Sequence, residues 1–215
     1  SVGRTLDQMM TSPLMVCGEV NLRIHQNLMS KADKLAGLKR LYSHAQSLAQ
    51  CHEWLNRNLP NLARVPVASN AEAARMAAED TEACAIAGEA AARLYELNIL
   101  AANIEDDPNN TTRFVVLSSH DAGPSGIDKT SFVCSAQNKP GALHDLLTPL
   151  KQHAVSMCRF ESRPARGFGN SRWEYVFFVD IEGHRKDAKV AAALEDLRSC
   201  VGFLKELGSY PKAGN

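Results

Sequence analysis

Thr112 and Arg113 place a hydroxyl beside a guanidinium at a point where a turn gives way to a strand. The turn is indicated by Asp-Asp-Pro-Asn-Asn at 106–110, and the strand by the aromatic and β-branched residues at 114–117. A hydroxyl can donate a hydrogen bond and a guanidinium can bind a carboxylate. We therefore expect these two side chains to lie at the mouth of a strand, where polar groups can face a cleft.

Ser43 and Ser69 each stand between a short strand and a helix. We predict Ser43 as the N-cap of its helix, with Gln46 completing a capping box, and Ser69-Asn70 as the cap of the next helix. The start of a helix presents free N–H groups that favour an anionic ligand. Gln50, two turns after Ser43, lies on roughly the same helix face.

The elements that position these residues alternate between strands and helices over the first half of the chain. Alternation of this kind predicts βα units with a parallel sheet, which binds ligands beyond the carboxyl ends of its strands. In the strand at 15–24 the alternation predicts that Val20, Leu22 and Ile24 share a buried face. His25 follows this strand, and we predict no catalytic or ligand-binding role for it. The predicted helices cover part of 1–16 (ended by Ser12-Pro13), 43–55, 71–78 and 89–97, and the predicted strands cover 15–24, 38–42, 64–68, 83–87 and 114–117.

The second half of the chain has a different pattern, after a breaker-rich linker at 119–129. Its elements follow the order βαββαβ, which is the ferredoxin-like plan. A sandwich of this size has one bare sheet face and exposed edges, so pairing with a second copy is expected. The predicted strands cover 129–135, 155–160, 173–181 and 201–207, and the helices cover a segment from Pro140 with Leu143, Leu146, Leu147 and Leu150 on one face, and 186–199.

Composition excludes several classes of function. The 24 Lys and Arg balance 24 Asp and Glu, so charge gives no case for nucleic acid or an acidic membrane, and small-molecule or protein partners are favoured. The six cysteines form no C-x-x-C pair, which is typical of reduced thiols in a cytoplasmic protein without disulfides. No apolar run is long enough to span a bilayer. No phosphate-binding glycine motif or metal-spaced cluster is present, and Cys51-His52-Glu53 is too compact to chelate.

Four segments of the second module resemble the ACT domain of prephenate dehydratases: 138–143 (Asn-Lys-Pro-Gly-Ala-Leu), 161–164 (Glu-Ser-Arg-Pro), 173–180 (Trp-Glu-Tyr-Val-Phe-Phe-Val-Asp) and 207–211 (Leu-Gly-Ser-Tyr-Pro). In that family the domain binds L-phenylalanine at a dimer interface. The resemblance implies a homodimer or tetramer and an allosteric L-Phe site made of Asn138, Gly141, Ala142, Leu143, Glu161, Ser162, Arg163 and Pro164.

The first module resembles the later part of that family's catalytic domain, through Gly18-Glu19, Tyr42-Ser43-His44, Gln50-Cys51 and Thr112-Arg113-Phe114. Ala45 stands where the family usually has proline. The implied fold is α/β: a periplasmic-binding-protein-like βα lobe, incomplete at its N-terminus, over 1–118, followed by the linker and a ferredoxin-like ACT domain over 130–215. The implied catalytic residues are Thr112 and Arg113, and the implied substrate-binding residues are Ser43, Gln50, Ser69 and Asn70.

The implied reaction converts prephenate to phenylpyruvate with loss of carbon dioxide and water, and it requires no cofactor or metal. Thr112 is expected to donate a hydrogen bond to the leaving hydroxyl, and Arg113 either to clamp a carboxylate or to pair with a nearby acid. L-Phe at the ACT domain is expected to regulate the enzyme. The family's Gly-Pro-x-Gly and Glu-Asn-Ser segments would precede Ser1, so part of the active site is expected to be missing from this sequence.

Two other functions remain open. The chain as given can be an ACT dimer that binds L-phenylalanine without activity, or a solute-binding domain, since its lobe resembles periplasmic binding proteins. The sequence also leaves open whether a chorismate mutase domain precedes Ser1.

Overall fold

The computed structural model describes residues 2–136, 139–165 and 175–214. The chain divides into two compact units, one made of 1–21 and 113–215 and the other of 22–112. In chain order the elements are α1 (Val2–Met9), β1 (Met15–Arg23), β2 (Asn27–Ser30), β3 (Arg40–His44), α2 (Ala45–Gln50), α3 (His52–Asn58), β4 (Ala63–Val67), α4 (Asn70–Glu79), β5 (Ala83–Ala87), α5 (Glu89–Tyr95), β6 (Asn98–Ala101), β7 (Thr111–Ser118), β8 (Asp128–Ser135), α6 (Ala142–Gln152), β9 (Met157–Pro164), β10 (Tyr175–Glu182), α7 (Ala188–Cys200) and β11 (Phe203–Pro211).

The unit formed by 22–112 contains a five-stranded sheet in the order β4-β3-β5-β2-β6. β3 runs parallel to β4 and β5, as predicted for the strands of the βα units. β2 runs antiparallel to β5 and β6, so the sheet is mixed and not parallel throughout. No separate strand is predicted from the sequence at 27–30, where β2 lies. Leu28 and Met29 are adjacent and both fully buried, so β2 lacks the alternation that marks a half-exposed strand.

Helices cover both faces of this sheet because β5 is apolar on both. Ala85 and Ala87 pack against α4, where Ala73 and Ala77 are fully buried and allow close approach. Cys84 and Ile86 belong to the core on the opposite face, which includes residues of α2 and α3. The single helix predicted at 43–55 is divided in two at Cys51, whose dihedral angles are φ −115° and ψ 18°.

The other unit contains a four-stranded antiparallel sheet in the order β11-β8-β10-β9. With α6 and α7 it confirms the predicted order βαββαβ. Leu146 and Leu150 of α6 are buried as predicted, whereas Leu143 is 44% exposed because it lies in the first turn, away from the core. Trp173 and Glu174, with which the third strand was predicted to begin, lie outside the described residues.

The second face of this sheet is covered, although the sequence predicted a bare one. Leu6 and Met10 of α1, and Val16 of β1, form one buried cluster with Val133 and Phe178 of the sheet. The prediction failed because it treated α1 as part of the first module only. Among the residues that the structure describes, none of the helices combines the length and the apolar character needed to cross a bilayer.

The bounds of β1 agree with the prediction, but the apolar residues expected to be buried are exposed. Val20 is 53% and Leu22 52% exposed, whereas Glu19 is 8% exposed. β1 pairs with β7 in a two-stranded sheet. Burial of Glu19 is stabilised by two cations, Arg113 and Lys129, a compensation that alternation of polar and apolar residues does not reveal.

Candidate active site

The ends of β3 and β4 lead into the starts of α2 and α4, as the sequence indicated. Ser69 caps α4, and its hydroxyl accepts a hydrogen bond from Glu72 N at 3.1 Å, which confirms that prediction. The predicted cap at Ser43 was wrong. β3 continues through His44, whose Nδ1 accepts from Gln46 N at 3.2 Å and caps α2.

Ser43 does not cap the helix because its buried hydroxyl is engaged elsewhere. It donates to Asn70 Oδ1 at 3.2 Å, and the same oxygen accepts from His44 N at 3.0 Å. Asn70 Nδ2 in turn donates to Ser47 Oγ at 2.8 Å. The Asn70 amide therefore fixes the end of β3 and the starts of α2 and α4 against one another.

A second group of amides continues this network. Gln26 Nε2 donates to Ser47 Oγ at 3.3 Å and to Gln50 Oε1 at 3.2 Å. Gln50 Nε2 reaches Asn110 Oδ1 at 3.5 Å. Asn110 Nδ2 is buried without a hydrogen-bond partner among the described residues. Buried donors without an acceptor are uncommon in folded proteins.

The carboxylate of Glu105 fixes the backbone of Gln26. Its Oε2 accepts from Gln26 N at 2.9 Å, and its Oε1 lies 2.9 Å from His25 Nδ1. Burial, the largest influence, raises the pKa of Glu105, but the hydrogen bonds from Gln26 N and His25 outweigh it and lower the pKa overall. Glu105 therefore stays ionised and orients Gln26. The role of His25 here is structural, because its ring nitrogen contacts Glu105.

These side chains surround a cavity of 320 Å³ within the unit formed by 22–112. Among the residues that the structure describes, no Lys, Arg, Asp or Glu lines it, and the donors in its lining are amides, hydroxyls and an imidazole. The Thr112 hydroxyl has no hydrogen-bond partner among the described residues. Ser43 lies outside the lining and supports it through Asn70. The lining residues are Ile24, Gln26, His44, Gln46, Ser47, Gln50, Ala68, Ser69, Asn70, Asn110 and Thr112.

Arg113 does not line this cavity, although it follows Thr112 in the chain. Its Nε donates to Glu19 Oε2 at 2.6 Å, its Nη1 to Asp180 Oδ2 at 2.6 Å, and its Nη2 to Tyr210 OH at 2.5 Å. Burial lowers the pKa of Arg113, but the charges of Asp180, Tyr210 and Glu19 together raise it. All these groups lie in the unit formed by 1–21 and 113–215.

The residues of the predicted L-Phe site occupy the start of α6 and the end of β9. Gly141 is the N-cap of α6, with φ 80°, and Ala142 and Leu143 begin the helix. On β9, Glu161 pairs with Arg159 at 2.5 Å and Arg163 with Asp7 at 3.1 Å. Ser162 and Pro164 of the same strand are exposed, and Asn138 lies outside the described residues.

Gln26, Ser47 and Asn110 were missed by the sequence reading. Each is a neutral polar residue, and such residues are common on any surface. Asn110 could have been found from its place two residues before Thr112, in the same turn. Gln26 gave no local signal, because its partners Ser47 and Gln50 lie 21 and 24 residues away.

The chain thus combines an α/β unit, which carries a polar cavity at its strand ends, with a ferredoxin-like βαββαβ sandwich. The chain belongs to the prephenate dehydratase family. The family model for prephenate dehydratase matches residues 1–122, and that for the ACT domain matches 130–199.

The relatives include a bifunctional chorismate mutase/prephenate dehydratase from Neisseria gonorrhoeae, 53% identical over 99% of this chain and 59% of its own length. The chain therefore spans about three-fifths of that relative. A crystal structure of prephenate dehydratase from Arthrobacter aurescens in complex with L-Phe has a TM-score of 0.86 and 35% identity, covering 99% of this chain and 71% of that one. A structure described as GqqA, a quorum quenching acylase, has a TM-score of 0.79 and 32% identity, covering 94% and 73%.

Proposed function

We propose that the protein is a prephenate dehydratase, which converts prephenate to phenylpyruvate. The observation that carries the proposal is the unpartnered Thr112 hydroxyl in a cavity lined by neutral hydrogen-bond donors. Membership in the prephenate dehydratase family supports the proposal.

In this reaction the bond between the ring and its carboxylate breaks, and the electron pair enters the ring. The bond between the ring and its hydroxyl breaks at the opposite carbon, so carbon dioxide leaves with the first bond and the oxygen takes up a proton and leaves as water. Aromatisation drives the reaction. The protein has to hold a dianion and ease the departure of the hydroxyl.

We assign to Thr112 a hydrogen bond to the leaving oxygen, which stabilises the charge that develops on it. The two carboxylates are bound by neutral donors, among them the amides of Gln50, Asn70 and Asn110. Ser69, at the start of α4, adds a helix N-terminus that favours an anion. Ser43 supports Asn70 without touching the substrate.

The sandwich is assigned as the regulatory L-Phe site, in line with the relative from Arthrobacter aurescens that was solved in complex with L-Phe. Free N–H groups in the first turn of α6 take the carboxylate, and the segment 161–164 takes the rest of the amino acid. We infer a homodimer or tetramer, with the catalytic part at 1–118, the linker at 119–129 and the ACT domain at 130–215.

The test is the formation of phenylpyruvate from prephenate by the natural full-length protein and by its Thr112→Ala variant. We expect kcat to fall at least about 10²-fold without a change in melting temperature. Thr111→Ala is the matched control. Thr111 is adjacent and exposed, and its hydroxyl is bound to Asn109 O at 3.0 Å. Turnover by Thr112→Ala equal to that of the control would refute the assignment.

The alternative function, L-Phe binding without turnover, is separated by the same samples. If the full-length protein forms no phenylpyruvate while L-Phe still raises its melting temperature, the dehydratase proposal fails and the sensor function remains. Because one similar structure is described as an acylase, phenylpyruvate itself has to be measured rather than a coupled signal.

A further inference from the structure

Arg113 belongs to a closed polar cluster, and the partners of its guanidinium are held in turn. Glu19 Oε1 accepts from Lys129 Nζ at 2.8 Å and from Ala213 N at 3.0 Å. Asp180 Oδ1 accepts from Ser131 Oγ at 2.5 Å. No partner of the guanidinium is free to reorient.

The cluster is electrically balanced and shielded from solvent. Its two acids, Glu19 and Asp180, have side chains that are 0% and 4% exposed, and its two cations are Arg113 and Lys129. Drawing the guanidinium toward a substrate carboxylate would leave two buried acids with a single cation. Uncompensated buried charge is strongly unfavourable, so the substrate clamp considered for Arg113 is the weaker of its two roles.

The anchors of Arg113 lie on several strands of one unit. Glu19 belongs to β1, Asp180 to β10 and Tyr210 to β11, and Ser131 on β8 touches both Asp180 and Tyr210. Arg113 itself lies on β7, directly after Thr112. Successive side chains of a strand point to opposite faces, so fixing Arg113 also fixes the direction of Thr112.

We propose that Arg113 is a positioning residue: its hydrogen bonds to Glu19, Asp180 and Tyr210 hold β7 so that the Thr112 hydroxyl is aimed at the reacting atom. The inference rests on the proposed dehydratase function of Thr112. According to this proposal, Asp180 and Tyr210 affect the rate of turnover through Arg113, without touching the substrate. A shift in these strands then changes kcat rather than the binding of prephenate.

Tyr210→Phe is the most selective variant, because it removes one hydroxyl and keeps the buried ring. We expect kcat to fall about tenfold, the effect of one lost hydrogen bond to a charged group, while KM changes less than twofold. Ser131→Ala removes the hydroxyl that joins Asp180 to Tyr210, and should act in the same direction. Ser131→Ala replaces Tyr210→Phe as the test variant if Tyr210→Phe does not fold.

The matched control is Glu182→Gln. Glu182 lies on β10 two residues after Asp180, is 49% exposed, and makes an ion pair with Lys212 at 3.5 Å. This variant should keep the kcat and KM of the wild type. Melting temperatures of all variants separate positioning from loss of folded protein.

Hydrogen exchange of the peptide 109–116 gives a readout that does not depend on activity. The positioning role predicts faster exchange of the Thr112 amide in Tyr210→Phe or Ser131→Ala than in Glu182→Gln. If the wild type forms no phenylpyruvate, the dehydratase proposal fails and this exchange still decides the anchoring. Unchanged kcat with unchanged exchange overturns the inference, and so does a rise in KM at constant kcat.

Discussion

Asn110 lies two residues before Thr112, and its side-chain oxygen accepts from Gln50 while its Nδ2 has no acceptor among the described residues. The Gln50 contact fixes the orientation of the Asn110 amide. A donor that is already oriented and unpaired binds a carboxylate without first giving up another hydrogen bond. At the scale of single residues, the proposed site thus offers neutral donors, rather than charged groups, to the carboxylates of prephenate.

Asn110→Asp should expose this dependence, because it keeps the shape of the side chain and replaces the donor by a negative charge. We expect KM for prephenate to rise at least about tenfold, from the lost hydrogen bond and the added repulsion. Steady-state kinetics of the full-length protein measure it. Asn109→Asp, one residue earlier and outside the cavity lining, is the control, and equal KM values for the two variants would contradict the role given to Asn110.

Glu19 makes the stability of the protein sensitive to acid. Burial raises its pKa, but the Lys129 hydrogen bond, the Ala213 N–H and the charge of Arg113 outweigh burial and lower it below the ordinary 4.5. A carboxyl whose pKa is lowered on folding contributes stability above its unfolded pKa, and this contribution is lost as the pH falls through the folded value.

The prediction is that the melting temperature of the wild type falls as the pH drops below 4.5. Glu19→Gln should melt lower at pH 7 and show a flatter curve in acid, because this contribution is already absent. Glu182→Gln, which alters an exposed ion pair, should follow the wild type. Parallel curves for wild type and Glu19→Gln would show that Glu19 does not contribute.

At the scale of elements, the contacts of β11 give a physical reason for each residue of the Leu-Gly-Ser-Tyr segment at 207–210. Leu207 is buried against α1, and Ser209 accepts from Arg185 N at 3.1 Å. Tyr210 anchors Arg113. At Gly208, with φ 143°, an added Cβ would lie 2.2 Å from Val16 O.

Gly208→Ala should therefore destabilise the protein by about 3 kcal/mol, from backbone strain together with the clash against β1. Denaturant unfolding measures the loss. Gly37→Ala, at φ 95° with no atom within 4 Å, carries the backbone strain alone and should cost less. A loss at Gly208 no larger than at Gly37 would show that β1 does not approach β11 this closely.

The elements also show how far sequence reasoning reaches. Turn residues and strand-to-helix junctions predicted β3, β4, β5 and the βαββαβ order, because those signals are local. β2 was not predicted, because the two adjacent buried residues Leu28 and Met29 lack the alternation that marks a half-exposed strand. The prediction of which β1 residues are buried was wrong for Glu19. Its burial depends on an ion pair with Lys129, which lies 110 residues away in the chain.

For the site too, local signals in the sequence were sufficient for some residues, whereas others depend on contacts between distant parts of the chain. Ser69, Asn70, Gln50 and Thr112 line the cavity, and all were named from strand ends or from the family's motifs. Their catalytic and binding roles remain predictions. Gln26 was missed because it enters the site only through tertiary contacts, and the role of Ser43 changed because its hydroxyl meets Asn70, 27 residues away.

At the scale of the whole molecule, the family match and the compact units divide the chain differently. The dehydratase match covers 1–122, yet 1–21 and 113–122 lie in the same compact unit as the ACT match at 130–199. β1 and β7 carry the chain from one unit to the other, between residues 21 and 22 and between 112 and 113. Thr112 and Arg113 thus belong to different units while sharing a peptide bond.

Binding of L-Phe to the sandwich should raise the melting temperature by mass action, increasingly with concentration. Gly141→Ala should weaken this shift, because Gly141 is an N-cap at φ 80° in the proposed site. Gly126→Ala, at φ 91° in the same unit and equally open, should cost similar stability but keep the shift. Equal L-Phe responses of the two variants would place the effector elsewhere.

The most direct measurement is kcat for prephenate in Thr112→Val and Thr112→Ser of the full-length protein. Valine keeps the shape of threonine without the hydroxyl, and serine keeps the hydroxyl without the methyl group. The account predicts that Thr112→Val loses at least about 10²-fold in kcat while Thr112→Ser stays within about tenfold of the wild type. Normal turnover by a folded Thr112→Val variant would contradict it.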